Sequence, residues 1–151
     1  MMSKGDKLNN CLSMVILFYI VGNPVVYKFV DRLLSPLKLD VSDAHGCPTQ
    51  LGVVVHALVF ALLLSVNLVG SVLFGARGDL YAKSGCVLLA AILFFVVSNT
   101  ETYKFVNRLV RALRLRVSDD NGCPTQVGVL VHGVVFCILY CILCVACGVL
   151  K

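Results

Sequence analysis

The sequence predicts an all-α integral membrane protein, a four-helix bundle of two tandem parallel hairpin repeats related by a pseudo-twofold axis. Three observations carry that prediction. Hydrophobic residues make up 59% of the 151 positions and charged residues only 14%, with a mean hydropathy of +0.93, so lipid rather than water is the expected solvent. Two runs of 24 residues, 51–74 and 127–150, contain no charge; each is about 36 Å long as a helix, enough to cross a ~30 Å hydrocarbon core. Finally, residues 23–64 and 99–140 are identical at 24 of 42 positions when aligned without gaps.

Repeat 1 spans 8–74 and opens with an apolar helix at 8–22. Its uncharged stretch, Cys11 to Gly22, is too short to cross unaided, which leaves a span with recruited upstream residues or a re-entrant segment. The duplication favours the span. If only the long helices crossed, the two Gly-Cys-Pro-Thr-Gln motifs would face opposite compartments, and near-identical loops are more simply placed on one side. Lys4 and Lys7 ahead of this run imitate a signal peptide, but its counterpart recurs mid-chain, so a retained helix is expected.

Asn23-Pro24 reads as an N-cap followed by proline in the first turn, opening an interfacial amphipathic helix at 24–37. Tyr27, Val30, Leu33, Leu34 and Leu37 fall at helical spacing, with Lys28 and Arg32 on the polar side. Within loop 38–50, Leu37, Leu39 and Val41 alternate with Lys38, Asp40 and Ser42, the period of a short strand. Its expected partner is the copy at 113–118, giving a small two-stranded β element. Pro36 and the short length allow an irregular extension instead. Ser42 to Gly46 is a turn by composition, and Cys47-Pro48-Thr49 starts transmembrane helix 51–74.

After a linker at 75–83, repeat 2 (84–150) reruns the plan: apolar helix 84–98, interfacial helix 100–113, loop 114–126 and transmembrane helix 127–150. Asn99 is the cap, and Tyr103, Val106, Leu109, Val110 and Leu113 form the apolar side. Lys104, Arg108 and Arg111 form a basic stripe, which Arg114 and Arg116 extend into the loop. A helix of this kind lies in the headgroup plane. The repeats differ in charge: three Lys/Arg against three Asp in 23–50, five against three Asp/Glu in 99–126. With four spans the duplicated loops carry eight Lys/Arg and the opposite side five, a weak positive-inside bias toward a cytosolic loop face.

The residues that look chemical are few. His56 and His132 are ionisable groups in long apolar helices, which by default raises a functional hypothesis; neutral imidazoles bridging helices are the plainer reading. Cys47 and Cys123 complete a Cys2His2 inventory, yet nine residues separate each Cys from its His, about 13.5 Å along a helix, so no metal and no cofactor is expected. A Cys47–Cys123 disulfide across the axis is conceivable, but a cytosolic face would keep both thiols reduced. Cys137, Cys141, Cys144 and Cys147 run along one helix face with Gly133 and read chiefly as small packing residues. Asp43 and Asp119 sit in turns that bond their own backbone. No nucleophile–base pair, carboxylate pair or phosphate-cradling loop is present, so no enzyme is expected.

The repeated block, Tyr-Lys-Phe-Val-(Asp/Asn)-Arg-Leu followed by Gly-Cys-Pro-Thr-Gln-x-Gly-x-x-x-His-x-x-x-Phe, resembles small hydrophobic proteins of large nucleocytoplasmic DNA viruses. It places its signature on Gly46, Cys47, Pro48, Thr49 and His56, and again on Gly122, Cys123, Pro124, Thr125 and His132. The resemblance implies a virion inner-membrane or minor capsid protein. Its partners would be the bilayer, capsid or other virion proteins and further copies of itself, without nucleic acid, in a virion inner membrane or a host endoplasmic-reticulum-derived membrane. The expected role is structural: anchoring that membrane to its shell through the duplicated face. Lys104, Arg108, Arg111, Arg114, Arg116, Lys28 and Arg32 would supply the contact to lipid or partner. The competing functions are a proton-responsive pore or transporter lined by His56 and His132, and a membrane-shaping protein.

Overall fold

The two repeats do not stand side by side; they cross. The computed structural model describes residues 4–73 and 80–146, with side chains described over 12–66 and 85–146. Six α-helices and two 3-10 turns are present among the described residues: α1 (Lys4–Val21), α2 (Pro24–Leu34), α3 (Gln50–Leu73), α4 (Leu80–Val97), α5 (Thr100–Val110) and α6 (Gln126–Ala146). The 3-10 turns, Ser35–Leu37 and Arg111–Leu113, extend α2 and α5. The main partner of α1 is α6, and that of α4 is α3. Each short apolar helix thus packs mainly on the long helix of the other repeat, with lesser α1–α3 and α4–α6 contacts closing the ring.

The chain is all-helical, as composition and periodicity predict. Both short apolar helices begin four residues earlier than their expected starts at 8 and 84, giving 18 residues each, about 27 Å. Helix α6 is long and apolar enough to cross a membrane by itself. Helices α1 and α4 reach that threshold only together with the helix that follows, across bends of 50° and 63°. The expected ends of the long spans at 74 and 147–150, Cys147, and most of the 75–83 linker lie outside the described residues.

The expected two-stranded element does not form. After the 3-10 turn, Lys38 takes the left-handed conformation at φ 54°, and Arg114 does the same at φ 55°. This reversal ends the helix and leaves too little extended chain for a ladder. The only β pairings among the described residues are single bridges inside each repeat, Ser42 with Pro48 and Ser118 with Pro124. The alternation was real but served a different purpose: only Val41 and Val117 point inward, both fully buried.

A second correction concerns the faces of α2 and α5. Tyr27 and Tyr103 are buried rather than held at the headgroup boundary expected of an interfacial helix, and Val30 and Leu34 pack beside Tyr27. Leu33, Leu37, Leu109 and Leu113, grouped with them from spacing, instead point outward. The helices therefore have an inner apolar face, an outer apolar face and a polar strip between.

The core lies on the pseudo-twofold axis. Phe18, Phe60, Phe94 and Phe136, one from each long or short apolar helix, are fully buried. Ring centroids are 5.1 Å apart for Phe18–Phe94 and Phe18–Phe136, 4.7 Å for Phe60–Phe94 and 5.4 Å for Phe60–Phe136. Two of these contacts are tilted, Phe60–Phe94 is stacked and Phe60–Phe136 is edge-on, and together the four rings fill one layer of the bundle. Outward, each of the four helices shows apolar residues at four-residue spacing: Leu12, Ile16, Ile20; Leu58, Leu62, Val66; Leu88, Ile92, Val96; and Leu130, Val134, Ile138, Ile142, all exposed.

Candidate functional site

The duplicated face is built twice from the same local rules. Asn23 Oδ1 accepts from the Val25 N–H at 3.0 Å and Asn99 Oδ1 from the Glu101 N–H at 2.9 Å, which caps α2 and α5. The same side chains then cross to the other repeat. Asn23 Nδ2 donates to Gln126 Oε1 at 2.9 Å, and Asn99 Nδ2 donates to Gln50 Oε1 at 3.0 Å. Tyr19 Oη also donates to Gln126 Oε1, at 2.8 Å.

The next residue in the block with a defined role is the Asp/Asn pair. Asp31 Oδ1 accepts from the backbone N–H of Val41 at 2.7 Å and of Ser42 at 3.0 Å. Asn107 Oδ1 repeats this with Val117 at 3.0 Å and Ser118 at 3.4 Å. Each clasp pins an amphipathic helix to the extended segment after it. The Ser42 and Val41 N–H groups hold the Asp31 carboxyl below the usual carboxylate range.

The Gly-Cys-Pro-Thr-Gln-x-Gly run is consumed residue by residue. Gly46 and Gly122 adopt φ of +80° and +87°, and the stems of Lys28 and Lys104 lie where a Cβ would stand. Asp43 Oδ1 accepts from the N–H groups of His45 and Cys47, and Asp119 Oδ1 from those of Asn121 and Cys123, at 2.8–2.9 Å. Thr49 Oγ1 caps α3 by accepting from the Gly52 N–H at 2.9 Å, and Thr125 does the same for Gly128. Gly52 and Gly128 then press on the carbonyls of Val41 and Val117, where a Cβ would collide.

Cys47 and Cys123 are disulfide-bonded, with Cα atoms 4.8 Å apart. The expectation of two reduced thiols is overturned: the crossing brings the two loops onto the axis at bonding distance. The helical cysteine stripe is corrected in one position as well. Cys137 is disulfide-bonded too, whereas Cys144 is a buried free thiol whose Sγ lies 4.0 Å from that of Cys86.

One layer further in sit the histidines. His56 Nδ1 donates to the Val21 carbonyl at 2.6 Å and His132 Nδ1 to that of Val97 at 2.9 Å. Those carbonyls end α1 and α4, where no intrahelical partner exists. Each imidazole also stacks on a tyrosine, Tyr27–His56 at 3.6 Å and Tyr103–His132 at 3.7 Å, with rings within 5° of parallel. The histidines therefore join the two helices of their own repeat, while the asparagines and glutamines join the repeats to each other. No group of three or more His, Cys, Asp or Glu suited to a metal occurs among the described residues.

The basic residues divide. Lys104 pairs with Glu101 at 2.8 Å and leans on Gly122. Lys28 lies against Gly46, and with Asp31, Arg32, Ser42 and His45 it lines a shallow surface cleft. Arg108, Arg111, Arg114 and Arg116 are exposed. The block itself was legible in the sequence; the Asn–Gln crossing was not, because no periodicity links positions 103 or 49 residues apart. The chain matches no protein-family model, no curated protein and no solved structure.

Proposed function

We propose that this chain is a structural membrane anchor: four helices embedded in a bilayer, holding one rigid polar face toward a protein layer such as a viral capsid shell. The single observation that carries the reading is how far the repeated motif is spent on internal bonds. Caps, clasps, crossings, disulfide and imidazole bridges engage Asn23, Asp31, Asp43, Gly46, Cys47, Thr49, Gln50, Gly52 and His56 Nδ1 and their copies. In the block, His56 Nε2, Tyr27 Oη and their copies His132 Nε2 and Tyr103 Oη have no hydrogen-bond partner, and all four atoms are buried rather than open to a substrate. Lipid on all sides explains the four outward apolar stripes, which on a soluble monomer would form far larger patches than such proteins expose.

The four-phenylalanine layer weighs against the pore, since it fills the axis beneath His56 and His132. The Cys47–Cys123 bond favours an oxidising environment for the loop face; a difference of eight basic residues to five is too small to oppose that. The shell contact falls to the exposed Arg114 and Arg116 and the loop turns around them. Stripping particles of lipid with mild detergent tests this. The anchor stays with the shell and is released by Arg114→Glu plus Arg116→Glu; elution of the unaltered protein with the lipid rejects the shell contact.

A further inference from the structure

Helix α5 has one side in use and one side left over. Tyr103 is buried on His132 and Asn107 holds the loop, which occupies the inner side. On the outer side Phe105, Leu109 and Leu113 are 60%, 64% and 70% exposed. Helix α2 repeats this with Phe29, Leu33 and Leu37, each 66% exposed. The row of α2 continues the outward stripe of the preceding helix at four- to five-residue spacing, Leu12, Ile16 and Ile20 leading across the 50° bend to Val25, Phe29 and Leu33. In the second copy Leu88, Ile92 and Val96 precede the 63° bend and Phe105 and Leu109 follow it, with the exposed, Lys104-paired Glu101 in the place of Val25.

Charge distinguishes the two copies. At about 100° per residue, Arg108 lies about 60° from Phe105 at the edge of the apolar row of α5, and Arg111 lies about 120° from it, toward Asn107 and the loop. The matching positions in α2 are Arg32 and Ser35, and Asp40 stands where repeat 2 has Arg116. A long arginine stem reaches from an apolar surface to the polar boundary, and its guanidinium binds phosphate oxygens bidentately.

We infer that the outer face of α5 occupies the headgroup boundary of a leaflet containing anionic phospholipid, with Phe105 and Leu109 among the acyl chains and Arg108 and Arg111 on phosphates. Helix α2 sits at the same depth with a weaker charge preference, since its one bordering arginine, Arg32, shares a cleft with Asp31 and Asp43. The continuity of the α2 row with the outward stripe of the preceding helix, and the equivalent place of the α5 row, select lipid over a protein as the occupant. The inference rests on the bilayer embedding proposed above and is independent of the shell contact.

The chain has no tryptophan, so Phe29→Trp and Phe105→Trp each place one reporter on these faces in the full-length protein. In phosphatidylcholine vesicles with and without phosphatidylglycerol, brominated acyl chains are expected to quench both reporters, with blue-shifted emission. Retention of phosphatidylglycerol over phosphatidylcholine is expected to fall about fivefold for each of Arg108→Gln and Arg111→Gln, from about 1 kcal/mol per basic residue near a membrane surface, and to fall less for Arg32→Gln. An unquenched reporter at position 105 overturns the inference, as does a lipid preference indifferent to Arg108 and Arg111. Helix content and the Cys47–Cys123 bond, checked by circular dichroism and non-reducing mass, exclude misfolding as the cause. Loss of shell association leaves all these readouts in place.

Discussion

Asp31 and Asn107 make the same two backbone bonds, yet only one of them titrates. A carboxylate whose folded pKa is depressed contributes stability above its unfolded pKa, near 4, and loses it as pH falls through the folded value. Acidification from neutral pH to below that folded value is therefore expected to expose the Val41 and Ser42 amides to hydrogen exchange while Val117 and Ser118 stay protected. Asp31→Asn should abolish the difference; equal loss in both repeats would refute the clasp. Glycine gives a second contrast. Ala at Gly52 or Gly128 collides with a backbone carbonyl and is expected to destabilise by roughly 1–3 kcal/mol, whereas Gly85, with nothing within 4 Å of a Cβ, should accept Ala at no cost, as read by denaturant titration in detergent. At this scale the sequence was generous. Asn23, Asn99, Asp43 and Asp119 behave as their neighbours predict, because capping and turn chemistry are local. What it concealed were the second partners of Asn23 and Asn99 and the carbonyl bonds of the histidines, which depend on distant chain.

Helices α1, α3, α4 and α6 meet in the layer of Phe18, Phe60, Phe94 and Phe136, and that layer decides what the bundle can do. Truncation to Phe60→Ala or Phe136→Ala removes a fully buried ring and is expected to cost about 3–5 kcal/mol, measured by unfolding in mixed micelles. Liposomes holding the unaltered protein are expected to show no proton flux, and His56→Ala with His132→Ala should change nothing; a pH-dependent flux that this pair abolishes would restore the transport reading. Element existence and order were legible from hydropathy and caps. The strand at 37–42 was misread because alternation records which side chains are buried, and a single inward Val41 satisfies it without a ladder. The outward turn of Leu33 and Leu109 was hidden for a related reason: spacing marks two apolar faces on one helix identically, and only what surrounds the helix separates them.

At the scale of the whole molecule, duplication predicted symmetry but not interlocking. A hairpin repeat could pack its short helix on its own long helix; here the stronger packing is between repeats, so that neither half has a complete core alone. The central claim is that the two repeats cross and are stapled on one side of the membrane. It is tested most directly by engineering a protease site into the 75–83 linker of the membrane-embedded protein and cutting it. The account predicts that the halves run as one species until a reductant breaks Cys47–Cys123, and that even after reduction they separate only on unfolding. Halves that part without reductant, or thiol reagents that reach Cys47 and Cys123 from opposite sides of the bilayer after reduction, would contradict it.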